Sequence, residues 1–164
     1  MNDKIKKYIK EILKFVVMLA IIVNVVSYYK SQDLNKEDLK INSFKLLDNT
    51  TYNIPKDKPV LVHFWATWCP TCAMEASNIE KISKDYEVIT VATQSGTKEE
   101  IQKYLDDNKL TFKVVDDQDS LYSRDFNIQA FPTTLIYDKD KNLKFSEVGY
   151  TSTLGLYARM WWSD

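Results

Sequence analysis

Cys69 and Cys72, separated by Pro70 and Thr71, are the only thiols in a chain of 164 residues. Two cysteines are too few for a disulfide scaffold, and crowding both into one short stretch makes reactivity their reason for being there. The run Trp68-Cys69-Pro70-Thr71-Cys72 follows an apolar stretch and opens a helix-like one, with Pro70 suited to a first helical turn, where a missing N–H costs nothing. A thiol at a helix N-terminus faces unpaired backbone N–H groups and the positive end of the dipole, which favour thiolate over thiol. Cys69 is therefore the candidate nucleophile. Cys72, on the same side of the first turn, is placed to attack a mixed disulfide formed at Cys69 and release the substrate.

Other uses of the pair stay open on the residues alone. A zinc site would need partners that the chain lacks as cysteine or histidine, since His63 is its single histidine, so carboxylates or a second chain would have to complete it. An inert structural disulfide is a weak use of so small a ring, because closing it constrains the unfolded chain little. Copper(I) is a third possibility, with soft thiolates from Cys69 and Cys72, His63 as a further ligand and Met74 nearby.

The elements around the pair alternate. Residues 41–47 and 51–54, split by Asp48-Asn49, read as a hairpin, and 59–65 (PVLVHFW) as a continuous apolar strand covered on both faces. A helix from about Cys69 turns Ala76, Ile79 and Ile82 or Ser83 inward. Then come a strand over 87–93, an acid-led helix over 97–107 with Ile101, Tyr104 and Leu105 inward, and a strand over 110–115. A helical turn near 120–126, strands over 134–137 and 143–148, and a last helix over 154–162 complete the pattern. Such alternation with a terminal hairpin predicts an α/β fold with a mixed central sheet flanked by helices.

The near-neutral charge, 22 basic against 23 acidic residues, argues against nucleic acid as a partner. It is unevenly spread. Residues 1–14 carry net +3 and residues 31–164 net -5. Between them, 15–26 (FVVMLAIIVNVV) has only Asn24 polar, and Ile12 and Leu13 with a snorkelling Lys14 extend the run toward the roughly 17 to 25 residues of a membrane span. Tyr8 and the Tyr28-Tyr29 pair stand where interfacial aromatics belong. A cleaved secretory signal would end in small residues, whereas this run ends in Val25-Val26-Ser27-Tyr28-Tyr29, so an uncleaved signal-anchor over 1–30 is expected. Residues 31–38 are then a tether and 39–164 the domain. The lysine cluster keeps the N-terminus cytoplasmic and places the domain on the other side, so the expected location is the inner membrane, single-pass, with the domain in the periplasm or on the extracytoplasmic face.

Residues 60–72, VLVHFWATWCPTC, resemble the active-site strand and turn of the thioredoxin superfamily, and their wording resembles its membrane-tethered TlpA/ResA/DsbE-like branch. Ala130-Phe131-Pro132-Thr133 is similar to the segment that carries the superfamily's cis-proline, and the ending from Glu147-Val148-Gly149-Tyr150 to Trp161 resembles the ScsD-like protein disulfide oxidoreductases. The resemblance spans roughly residues 39–164. It implies a thioredoxin fold and dithiol-disulfide exchange on the thiols and disulfides of exported proteins, fed by a membrane electron donor, with no cofactor beyond a redox-active Cys69–Cys72 disulfide. Carried over, Cys69 attacks, Cys72 resolves, and Pro132 is the cis-proline that leaves the backbone of Phe131 free to pair with a substrate strand. Trp68, Pro70 and Thr71 join Phe131 and Pro132 as the substrate-binding surface, and Trp65 is core.

Two residues are expected to handle protons. Glu75 matches a glutamate that the tethered reductases hold near the active site, where it would take the proton of Cys72, the plain alternative being a solvated helix acid. His63 stands where thioredoxin has a buried aspartate, and an imidazole titrating near neutrality could shuttle protons, the plain alternative being a structural histidine. Relatives with this turn are mostly reductants, so a reductant is expected. The alternatives are a disulfide-forming oxidant and a copper(I)-binding or copper-tolerance protein using the same cysteines.

Overall fold

In the computed structural model, which describes residues 3–31 and 38–164, the chain runs through α1 (Asp3–Ser31), β1 (Ser43–Lys45), β2 (Thr51–Asn53), β3 (Val60–Trp65), α2 (Pro70–Ile82) and β4 (Glu87–Thr93). It continues through α3 (Lys98–Asp107), β5 (Lys113–Asp117), α4 (Leu121–Asp125), β6 (Thr133–Tyr137), β7 (Leu143–Val148) and α5 (Thr153–Ser163). The five longer strands form one sheet in the order β5-β4-β3-β6-β7. β3 is parallel to β4, and β4 to β5, while β6 is antiparallel to both β3 and β7. The sheet is mixed, as its sequence pattern requires.

β3 sits at the centre because all six of its residues are buried, so neither face tolerates water. Alternation along the strand sends Leu61 and Trp65 into a core shared with Ile79 and Ile82 of α2, Ile101 and Leu105 of α3, and Leu156 and Met160 of α5. Val60, Val62 and Phe64 face the opposite core, shared with Phe44, Ile54 and Phe126. The hairpin β1–β2 closes that second side as a separate two-stranded sheet. Its turn is made by Asp48, whose Oδ1 accepts hydrogen bonds from the backbone N–H and the hydroxyl of Thr50, at 2.9 and 2.6 Å.

The strand expected over 110–115 begins later, at Lys113. The cause is Glu80 on α2, whose carboxylate accepts the backbone N–H groups of Thr111 and Phe112 at 2.7 and 3.2 Å and holds them away from the ladder. Leu110 and Phe112 still reach the core as side chains, and that produced the strand-like pattern. α3 starts on a capping box, in which the Thr97 hydroxyl accepts the Glu100 N–H while the Glu100 carboxylate accepts that of Thr97.

α1 runs close to the edge strand β7, and its apolar side chains Ile12, Phe15, Val17 and Ile21 are exposed. Among the described residues no helix is long and apolar enough to cross a membrane. Several side chains of the run 15–26, at 19, 20, 23, 24 and 26, lie outside the description, as do those of Tyr28 and Tyr29 and the tether residues 32–37.

Phe64 tests this packing. It is fully buried and its ring lies 5.2 Å from that of Phe126. Phe64→Ala is expected to lower the free energy of unfolding by about 3 to 5 kcal/mol in a urea titration. A loss below about 1 kcal/mol would mean that the second core is not formed as described.

Candidate active site

The turn between β3 and α2 carries the thiol pair. Cys69 caps α2 in an extended conformation and Pro70 takes the first helical position, as the spacing predicts. The two cysteines form a disulfide, with their Cα atoms 5.2 Å apart. The Cys69 sulfur accepts the backbone N–H of Cys72 at 3.2 Å, which is the geometry through which a helix N-terminus favours a thiolate. Cys69 is 6% exposed and Cys72 only 2%, so the first is the one a substrate can meet. Pro70 is exposed and Thr71 half-buried beside it.

The turn is tied to the loop that leaves β4. The Thr67 backbone N–H and hydroxyl bond to the hydroxyl and carbonyl of Ser95, at 3.1 and 3.0 Å. The Trp68 indole donates to the Gln94 carbonyl at 2.9 Å, which fixes a ring that is 60% exposed. Its edge meets Phe131, with ring centroids 5.9 Å apart at 80°. The Phe131–Pro132 peptide is cis, and Pro132 is buried. Trp68 and Phe131 thus form an aromatic wall reaching from the thiol turn to the proline segment, while Trp65 is buried against Tyr104 and Phe112 as core.

Glu75 is fully buried, which removes the solvated-acid reading. One carboxylate oxygen accepts the backbone N–H of Thr151 at 3.0 Å, and the other has no partner among the described residues. Burial pushes this carboxyl up to about 8, with the Thr151 bond pulling the other way. Asn78 secures the donor's segment: its amide donates to the Tyr150 hydroxyl and the Thr151 carbonyl, and its carbonyl accepts the Thr153 hydroxyl at 2.7 Å. Gly149, at φ 99, supplies the left-handed turn that delivers this segment from β7.

His63 is buried on the face of β3 that Leu61 and Trp65 share, with Nδ1 2.9 Å from the Thr134 hydroxyl on the neighbouring strand. Burial pushes the imidazole down to about 3, so the ring is uncharged at neutral pH and the expected titration near neutrality is not met. Met74 is exposed on α2, and among the described residues no group of three or more His, Cys, Asp and Glu side chains is arranged to hold a metal. Sequence reasoning did not reach Gln94, Asn78 or Thr151. Only Gly149, a turn signal directly before the segment, hinted at the last of these.

A mixed sheet with a dithiol turn at the end of its central strand and a cis-proline segment beside it defines a thioredoxin-like thiol-disulfide oxidoreductase. The model of the AhpC/TSA family matches residues 29–146, and the chain belongs to that family. It is 28% identical over 169 residues to a thioredoxin-like protein of Haemophilus influenzae, covering 98% of each chain. To the thiol:disulfide interchange protein DsbE of the same organism it is 31% identical over 101 residues, which cover 59% of this chain and 56% of that one. The crystal structure of StoA from Bacillus subtilis superposes with a TM-score of 0.64 at 22% identity, covering 71% of this chain and 93% of that one, a likeness of fold.

The buried carboxyl makes a pH test. Between about 4.5 and about 8 the folded chain holds a proton on Glu75 that the unfolded chain has released. Stability is therefore expected to fall as pH rises through that window, and Glu75→Gln to flatten the fall in urea midpoints measured across it. An unchanged slope in the variant would show that Glu75 does not carry the proton.

Proposed function

We propose that this protein is a membrane-tethered reductant of disulfides in exported proteins, acting through Cys69 and Cys72 as its sole redox group. The Cys69 thiolate attacks one sulfur of a substrate disulfide, forming a mixed disulfide and freeing one substrate thiolate. The Cys72 thiolate then attacks the Cys69 sulfur, releasing the second substrate thiolate and leaving the oxidised pair. Two electrons pass to the substrate. Glu75, a neutral acid below about 8, is suited to take the Cys72 proton once its own has left, and a dithiol donor at the membrane returns the electrons.

The direction is supported by what meets the Cys69 sulfur: its hydrogen bond comes from the backbone N–H of Cys72 and not from a charged side chain. A strong oxidant needs its reduced form stabilised. Here the helix N-terminus does that work. The weakly stabilised dithiol keeps a tendency to give up electrons.

The tether rests on the N-terminal pattern, a net +3 leader followed by an apolar run and polar residues before the domain. With the lysines cytoplasmic, the domain stands on the extracytoplasmic face of the inner membrane.

The reduction potential is expected in the thioredoxin-like range, near roughly -270 mV, by equilibration with a glutathione or dithiothreitol couple. A value near roughly -120 mV would make the protein an oxidant. Cys72→Ser is expected to accumulate mixed disulfides with exported proteins on non-reducing gels. Stoichiometric copper(I) uptake without adducts would favour the metal-binding reading instead.

A further inference from the structure

The last turn of α5 carries two adjacent indoles, Trp161 and Trp162, exposed at 71% and 75%. α5 anchors itself through Leu156 and Met160, which are fully buried, so neither tryptophan is needed to close the core.

Their place in the molecule is fixed by α5 running alongside α2. At its start Thr151 and Thr153 lie against Glu75 and Asn78, near the thiol pair. Further along, the Tyr157 hydroxyl bonds to Asp85, beyond the end of α2. The terminal Asp164 shares a groove with Lys58, Pro59 and Tyr86, at the starts of β3 and β4. The tryptophans therefore lie toward the pole opposite the cysteines.

The chain enters the domain at that same pole. The Leu39 N–H donates to the Lys141 carbonyl in the turn after β6, and the Lys141 ammonium donates to the Lys58 carbonyl, at 2.9 and 2.7 Å. Residues 31–38 can span at most about 30 Å, which is less than the roughly 35 Å diameter of a domain this size. A tether that short keeps its entry pole toward the membrane.

We propose that Trp161 and Trp162 are an interfacial foot, seated in the headgroup layer of the bilayer that holds the tether, so that the thiol pair points away from the membrane. This rests on the tethered reading above. Indoles suit that layer because one ring combines apolar area with a polar N–H. Charge does not supply the attraction: Lys56, Lys58, Lys84, Lys113, Lys139 and Lys141 at this pole stand among Asp57, Asp85, Glu87, Asp138, Asp140 and Asp164, with Lys113 paired to Glu87. Seating is thus independent of anionic lipid and insensitive to salt.

The test uses the full chain in phosphatidylcholine vesicles with brominated acyl chains, which quench indoles seated at the bilayer. Trp65 is buried and Trp68 lies at the other pole, so the expected result is quenching of the wild type that W161F/W162F loses almost entirely, unchanged by raised salt. Equal quenching in both proteins overturns the foot. So does unquenched emission from protein that floats with the vesicles, the outcome if the pair faces water, another protein or a second copy. Protein that fails to float overturns the tether, and the foot with it.

Discussion

Everything in the domain depends on β3 having no face to give to water. All six of its residues are buried, it is hydrogen-bonded on both edges, and both faces are packed. A strand so enclosed cannot slip by one residue without turning Phe64 and Val62 onto the wrong core. Its far end is therefore a fixed point, and the thiol turn is built on it. The sulfur of Cys69 meets the Cys72 N–H because β3 stops, the chain turns at Thr67 and Trp68, and Pro70 starts a helix within a few residues.

Burial also decides the electrostatics. The two ionisable side chains expected to handle protons are moved in opposite directions by the same cause: the imidazole loses its proton and the carboxyl keeps one. Both are then uncharged near neutral pH. What remains to favour a Cys69 thiolate is the backbone of one helix end, a modest influence that side-chain titration does not alter. The same burial limits approach, since Cys69 is barely exposed and the exposed aromatic beside it is Trp68.

The sheet was legible because its strands are short, apolar and separated by strong turn signals, and the thiol pair because few chemistries need cysteines at that spacing. The late start of β5 was not legible, since it depends on Glu80 reaching two N–H groups about thirty residues away. Glu75 read equally well as a surface acid, because three residues beyond Cys72 a helix can face either way until its packing is known. The bond that holds its carboxyl comes from Thr151, 76 residues on. His63 shows the converse: the residue type suggested titration, and only the depth of the strand, with Thr134 beside it, revealed a ring kept neutral.

The segment after β7 joins what the rest of the fold keeps apart. Gly149 donates its N–H to the Pro132 carbonyl at 2.8 Å, and two residues later Thr151 donates to Glu75. The cis-proline segment and the buried Glu75 carboxyl are thus held by the two ends of one three-residue strap. A shift of that strap therefore moves the proline segment and the Glu75 carboxyl together.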